Sequence, residues 1–114
     1  MHTETHLKQI TSEITSDIHA ALGSKLHKII LYGSYARGDF NEDSDIDIMV
    51  LADIDEENIR NFNSTVDSVA NKVSLEYDAL VTISLRNRRL FFERLKILPF
   101  YQNVMKDGVE LYGN

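Results

Sequence analysis

The strongest constraint on the fold is a pair of long helical patterns with two short apolar runs between them. Apolar residues recur every three or four positions over residues 4–22, which predicts an amphipathic helix. The same spacing returns over residues 59–73, behind a possible N-cap at Asp55. We interpret the intervening runs, residues 27–32 and 45–52, as buried strands. Helices that enclose strands in this order predict an α/β fold.

The last third of the chain adds further elements to this pattern. Residues 75–84 predict a third strand and residues 86–96 a basic helix, and Pro99 predicts the start of a short last helix that ends at Gly108. A length of 114 residues provides for one hydrophobic core. We therefore expect a single domain over residues 1–114, with a small mixed β-sheet and flanking helices (α/β, or α+β).

Composition excludes several classes of function. The net charge of -6 argues against binding nucleic acid through a broad basic surface. The chain has no cysteine, and no apolar run approaches the roughly 20 residues of a membrane span. Its first residues lack the basic and apolar regions of a signal peptide. We therefore expect a cytoplasmic protein that binds neither nucleic acid directly nor a membrane.

Two aspartates at the start of the second predicted strand are the first candidates for chemistry. Asp45 and Asp47 are two positions apart, so on a strand their carboxylates point to the same face. Two like charges this close repel each other unless a cation lies between them. Mg²⁺ binds to one or two carboxylates together with substrate phosphates. Ile46 and Ile48 point to the opposite face and supply the core.

The end of the first predicted strand is a candidate phosphate-binding turn. Gly33 allows a close approach of the backbone, and Ser34 adds a hydroxyl where the N–H groups of a helix start are free. The lysine of a Walker motif is missing, so the turn is not a P-loop. Arg37 either reaches a phosphate or holds the loop through Asp39 or Asp43. A phosphate-binding turn beside a carboxylate pair predicts a reaction centre.

These residues resemble a known signature. Gly33-Ser34, ten intervening residues and then Asp45-Ile46-Asp47 resemble the signature of the DNA polymerase β-like nucleotidyltransferase superfamily. The version with Ala36-Arg37-Gly38 is similar to its minimal nucleotidyltransferase (MNT) branch. The resemblance implies the polymerase β-like fold, ATP as substrate and Mg²⁺, with two ions expected. It also implies that Gly33, Ser34 and Arg37 bind the nucleotide.

The resemblance further implies a triad of acidic residues. In the family two aspartates bind the metals, here Asp45 and Asp47, and a third acid on a later strand completes the set. Asp78 is the matching position, and all three acids are expected to be catalytic and to bind metal. Glu76 shares a face with Asp78 on the predicted third strand, so it is the alternative third carboxylate.

The family also suggests a partner. MNT antitoxins pair with HEPN ribonuclease toxins and transfer AMP to a toxin tyrosine, which silences the toxin. The resemblance therefore implies that this chain is a protein adenylyltransferase and the antitoxin of such a pair. Two alternatives stay open: a nucleotidyltransferase for a small molecule such as an aminoglycoside, and a binding module without activity. The short chain leaves little room for a separate acceptor domain, which favours an acceptor on another protein.

Overall fold

The computed structural model describes the backbone of residues 3–113 and the side chains of residues 6–113. A turn of 3-10 helix (Gly23–Lys25) joins the first helix to the first strand. The helices and strands are α1 (Thr3–Leu22), β1 (Leu26–Tyr32), α2 (Ser34–Arg37), β2 (Ile46–Ala52), α3 (Glu56–Tyr77), β3 (Val81–Asn87), α4 (Arg88–Leu95), α5 (Pro99–Asp107) and β4 (Val109–Gly113).

The strands form one four-stranded mixed sheet with the order β3-β2-β1-β4. β1 pairs antiparallel with both β2 and β4, whereas β2 and β3 are parallel. Parallel neighbours need a long crossover, and α3 provides it. The predicted mixed sheet with flanking helices is confirmed. β4 was not predicted, since residues 109–113 form a short, mostly exposed edge strand with a weak apolar pattern.

Helices cover both faces of the sheet. α1 and α3 pack on one face, where a buried cluster includes Ile14, Ile48 and Val66. α4 and α5 pack on the other face around Phe91 and Val104, against buried β-strand residues such as Met49. Ile46 and Ile48 are fully buried, as their alternation with the aspartates predicted. Among residues 3–113, no helix is both long enough and apolar enough to cross a membrane.

The predicted third strand was wrong over residues 75–80. α3 continues through this segment to Tyr77, and Asp78 ends it in the left-handed conformation, with a φ of 51°. A tertiary contact explains the longer helix, because the Tyr77 hydroxyl donates a hydrogen bond to Glu13 on α1 at 3.1 Å. Leu75, the first residue of the predicted strand, is 86% exposed. β3 begins only at Val81.

The connection from α5 to β4 depends on a glycine. A Cβ atom on Gly108 would lie 2.5 Å from Cγ2 of Ile30 and would overlap the carbonyl oxygen of Val104. Both neighbours belong to the packed layer between α5 and β1, so neither can move freely.

We expect Gly108→Ala to lower the free energy of unfolding by about 1–3 kcal/mol, the usual cost of overpacking. Urea denaturation at equilibrium measures the change. Lys106→Ala, at an exposed position of the same helix, is the control and should stay within about 0.5 kcal/mol of wild type. Equal stabilities for the two variants would show that the α5–β4 connection adapts to a side chain.

Candidate active site

The phosphate-binding turn and the carboxylates meet where β1 ends and β2 begins. Tyr32, the last residue of β1, is the partner of Asp47 in the antiparallel register. The turn that follows Tyr32 therefore lies directly beside the Asp47 carboxylate. The two parts of the motif, which are separated by a loop in the sequence, become neighbours through this strand pairing.

Gly33 makes the contact between them. Its φ of 77° lies in the region that favours glycine, and a Cβ atom there would be 2.5 Å from Oδ2 of Asp47. Both the backbone conformation and the space therefore require glycine. α2 starts at the next residue, Ser34. The N–H groups of Ala36 and Arg37 donate to the carbonyl oxygen of Gly33, so the N–H groups of Ser34 and Tyr35 are the ones that a phosphate could use. Gly38 ends α2 with a φ of 83°.

Arg37 lies at the end of this turn. Its Nε atom donates a hydrogen bond to Oδ2 of Asp39 at 3.1 Å, and both side chains are about half exposed. Of the two roles that the sequence left open, the structure therefore contains the loop contact, with Asp39 rather than Asp43 as the partner.

The ionised form of Asp47 is electrostatically unfavourable in the folded protein. Burial raises the pKa of this carboxyl above its ordinary value, and the negative charge of Asp45 raises it further. A hydrogen bond from Thr82 and the positive charge of Arg37 each lower the pKa of Asp47 and offset part of this rise. Asp45 lies immediately before β2 and is also partly buried. A cation bound between the two carboxylates would relieve this cost.

Thr82 is a site residue that the sequence did not indicate. In the parallel register of β2 and β3 it is the partner of Asp47, and its hydroxyl donates a hydrogen bond to Oδ1 of Asp47 at 2.9 Å. Thr82 lies within the predicted third strand, on the same face as Glu76 and Asp78. Nothing in the sequence, however, sets the register between two strands that α3 separates. Only that register identifies Asp47 as its partner.

A cavity of about 360 Å³, the α2–α5 cavity, opens beside Asp47. Residues of the phosphate-binding turn line one side, and residues of α5 line the other. Its lining consists of Tyr32, Gly33, Ser34, Arg37, Asp47, Phe100, Asn103, Val104 and Asp107. All three predicted nucleotide-binding residues therefore border this cavity, together with one predicted metal ligand, Asp47.

Comparison with known proteins identifies the family. The model of the nucleotidyltransferase domain family matches residues 13–109. This chain belongs to the nucleotidyltransferase domain family. Two proteins of Methanocaldococcus jannaschii, each named "putative protein adenylyltransferase", are similar over most of their length. One is 32% identical over 98% of this chain and all of the relative, and the other is 38% identical over 90% of this chain and 96% of the relative.

Solved structures of MNT antitoxin complexes share the fold. A chain of a toxin–antitoxin complex with AMP-PNP has a TM-score of 0.60 and 27% identity, over 91% of this chain and 73% of that one. A chain of the complex between a tri-AMPylated HEPN toxin of Shewanella oneidensis and its MNT antitoxin has a TM-score of 0.58 and 25% identity, over 94% of this chain and 72% of that one. The resemblance to the MNT branch is thus confirmed.

Among the residues that the structure describes, the acidic triad implied by the resemblance is not brought together. Asp78 lies on no strand but at the end of α3, and Glu76, the alternative, lies within α3. A hydrogen bond with Glu13 on α1 raises the pKa of the Glu76 carboxyl, which places Glu76 against the neighbouring helix. Over residues 3–113, no three His, Cys, Asp or Glu side chains form a group that could hold a metal ion. The strand position beside Asp47 is held by Thr82.

The carboxylates of Asp45 and Asp47 suit a Mg²⁺ ion whose other ligands come from the substrate phosphates. Asp45 and Asp47 supply carboxylate oxygens, and the adjoining turn is positioned to hold phosphates, which matches the usual Mg²⁺ ligand set of one or two carboxylates plus phosphates. The raised pKa of Asp47 is the observation that favours a cation here. The described side chains do not offer a third acidic ligand, so the expectation of two ions rests on the resemblance alone.

We expect Asp47→Asn to raise the melting temperature at pH 7 in EDTA. Because the pKa of Asp47 is raised in the folded state, its ionisation weakens the fold as the pH rises through that pKa. Asparagine cannot ionise, so the gain should shrink when the pH falls below the pKa. Thermal unfolding over a pH series measures it. Asp67→Asn, on an exposed part of α3, removes the same charge and should show no such trend.

We expect Thr82→Val to slow nucleotidyl transfer at least about 10-fold, because a hydrogen bond to a charged group contributes roughly 1.5–3 kcal/mol. Single-turnover transfer of the labelled nucleoside monophosphate measures the rate, and Thr82→Ser should restore it. Asp78→Asn is the matched comparison and should transfer at close to the wild-type rate. If Asp78→Asn lowers the transfer rate more than Thr82→Val does, Asp78 is the third catalytic residue.

Proposed function

We propose that the chain transfers AMP from ATP to a hydroxyl group on a partner protein, a tyrosine of a HEPN-type toxin, and acts as the antitoxin of that pair. The observation that carries this proposal is the direct contact between Gly33 and the Asp47 carboxylate within one cavity. A triphosphate on the turn would place its phosphorus atoms beside the carboxylates. The names of the similar proteins and complexes support a protein acceptor of the HEPN type. The choice of a tyrosine rests on the family resemblance.

The reaction needs few protein groups. The hydroxyl oxygen of the acceptor forms a bond to the α-phosphorus, the bond from that phosphorus to the α,β-bridging oxygen breaks, and pyrophosphate leaves. The acceptor proton passes to solvent. In this proposal Gly33 and Ser34 bind and orient the triphosphate, and Arg37 offsets its charge. Holding the reacting atoms in line supplies much of the rate in phosphoryl chemistry.

Asp45 and Asp47 are the residues that would hold Mg²⁺ in this proposal. When bound, the ion offsets negative charge on the phosphates and on the atoms that react. Thr82 fixes the orientation of the Asp47 carboxylate from the side of β3 by donating to Oδ1. Oδ2 lies against Gly33 and is thus turned toward the phosphate-binding turn.

A protein acceptor suits the open side of this site. β3 is an edge strand, and on the face that carries Asp47 its residues Thr82 and Arg86 are exposed. α4 carries three of the 12 Lys and Arg residues, and two of these three form ion pairs: Arg88 with Asp53 at 3.5 Å and Arg94 with Glu56 at 3.8 Å. These ion pairs reduce the positive field of the helix, which supports our expectation that the chain does not bind nucleic acid directly.

Coexpression with the protein encoded beside this chain, which the proposal expects to be of the HEPN type, tests the proposal. Intact-mass spectrometry of the partner should find added mass in multiples of AMP, because each transfer adds one AMP group. The Asp47→Asn chain, which loses the carboxylate charge, is the control and should leave the partner unmodified. An unmodified partner beside an enzyme that still consumes ATP in the presence of small-molecule acceptors would contradict the protein acceptor.

A further inference from the structure

One face of α5 is turned into the α2–α5 cavity. Phe100, Asn103 and Asp107 all line the cavity, and their spacing of three and then four residues places them on one side of a helix. Val104, on the same side, is buried in the core and fixes the helix against the sheet. Gly33, Ser34 and Asp47 account for the opposite side of the cavity but leave this helical face without a role.

Phe100 presents an aromatic surface to the cavity. Phe100 is 51% exposed. Its ring stands nearly perpendicular to that of Tyr32, at an interplanar angle of 81° and a centroid distance of 5.7 Å. The ring of Tyr101 also borders it, at a centroid distance of 5.7 Å and an interplanar angle of 48°. Because half of Phe100 stays exposed between these two rings, part of its aromatic surface is available to a planar group.

Asn103 follows one helical turn later on the same face. Its amide offers a donor and an acceptor side by side, and it is exposed in the cavity lining. Adenine presents an adjacent donor and acceptor on both of its hydrogen-bonding edges, so one amide can pair with either edge. An aromatic face and an amide one turn apart match the flat surface and the edge of such a base.

The phosphate-binding turn borders the same space. A cavity of about 360 Å³ falls within the size range of small-molecule sites. A triphosphate bound at Gly33 and Ser34 would leave its nucleoside to occupy the remaining volume, and α5 forms the wall there. The acceptor would then approach Asp47 from the exposed face of β3.

We propose that Phe100 and Asn103 form the nucleoside subsite of this enzyme: Phe100 stacks on the adenine ring, and Asn103 pairs with its edge. This inference rests on the proposed use of ATP and adds the residues that recognise the base.

Calorimetric titration with two probes tests the subsite. AMP-PNP carries base, ribose and phosphates, whereas inorganic tripolyphosphate carries phosphates alone, and both are titrated with Mg²⁺. Phe100→Ala should weaken AMP-PNP binding by about 10-fold or more, since stacking on an aromatic side chain contributes roughly that much. Asn103→Ala should also weaken AMP-PNP binding, because the edge of the base loses its hydrogen-bond partner. Tripolyphosphate binding should not change in either variant.

Matched variants separate recognition from folding. Met105→Ala changes an apolar residue of α5 outside the cavity lining and should bind both probes as the wild type does. Phe100→Leu keeps an apolar side chain without the aromatic face, and its AMP-PNP affinity should fall as in Phe100→Ala.

Four outcomes would overturn the inference, and the last of them would also refute the function on which it rests. Unchanged AMP-PNP affinity in Phe100→Ala would show that the base does not stack there. Weaker binding of tripolyphosphate in the same variant would show damage to the phosphate-binding turn instead. Unchanged nucleotide affinity with a raised KM for the acceptor would assign this face of α5 to the acceptor. A wild-type chain that binds tripolyphosphate but not AMP-PNP would refute the proposed use of ATP itself.

Discussion

The site depends on the pairing of β1 with β2. That antiparallel register puts Tyr32 opposite Asp47, and Gly33, which has no side chain, then lets the backbone approach the carboxylate. Side chains alternate between the faces of a sheet, so a shift of one residue would turn Asp47 into the core and bring Ile48 to the site. The fully buried Ile46 and Ile48 oppose such a shift. The hydrophobic core thereby fixes the position of the Asp47 carboxylate.

Features that depend on local pattern could be predicted from the sequence. The periodicity of α1 and α3 and the alternation of acids with aliphatics in β2 each lie within one short window, and so does the Gly33-Ser34 turn. The boundary between α3 and β3 depends on a distant contact instead, because Tyr77 on the last turn of α3 bonds to Glu13 on α1. Alternating polar and apolar residues over 75–80 fit a strand equally well, and this tertiary contact overrides that pattern.

The same limit explains which site residues the sequence could indicate. Ser34, Asp45 and Asp47 belong to one continuous motif, and the structure keeps Asp45 and Asp47 at the start of β2, beside the turn that contains Ser34. Thr82 joins them through the register of two parallel strands that α3 separates, and Phe100 joins them through the packing of α5 on the sheet. Neither relation leaves a signal in the spacing of residues along the chain.

A threonine beside Asp47 changes the electrostatics of the site. A third carboxylate at that position would add a negative charge next to a group whose pKa is already raised by burial and by Asp45. The Thr82 hydroxyl instead stabilises the ionised form of Asp47 by donating to it. It also has no charge of its own to be balanced by a cation. Two carboxylates and a hydroxyl carry one negative charge fewer than three carboxylates, so a cation bound beside them would have less charge to offset.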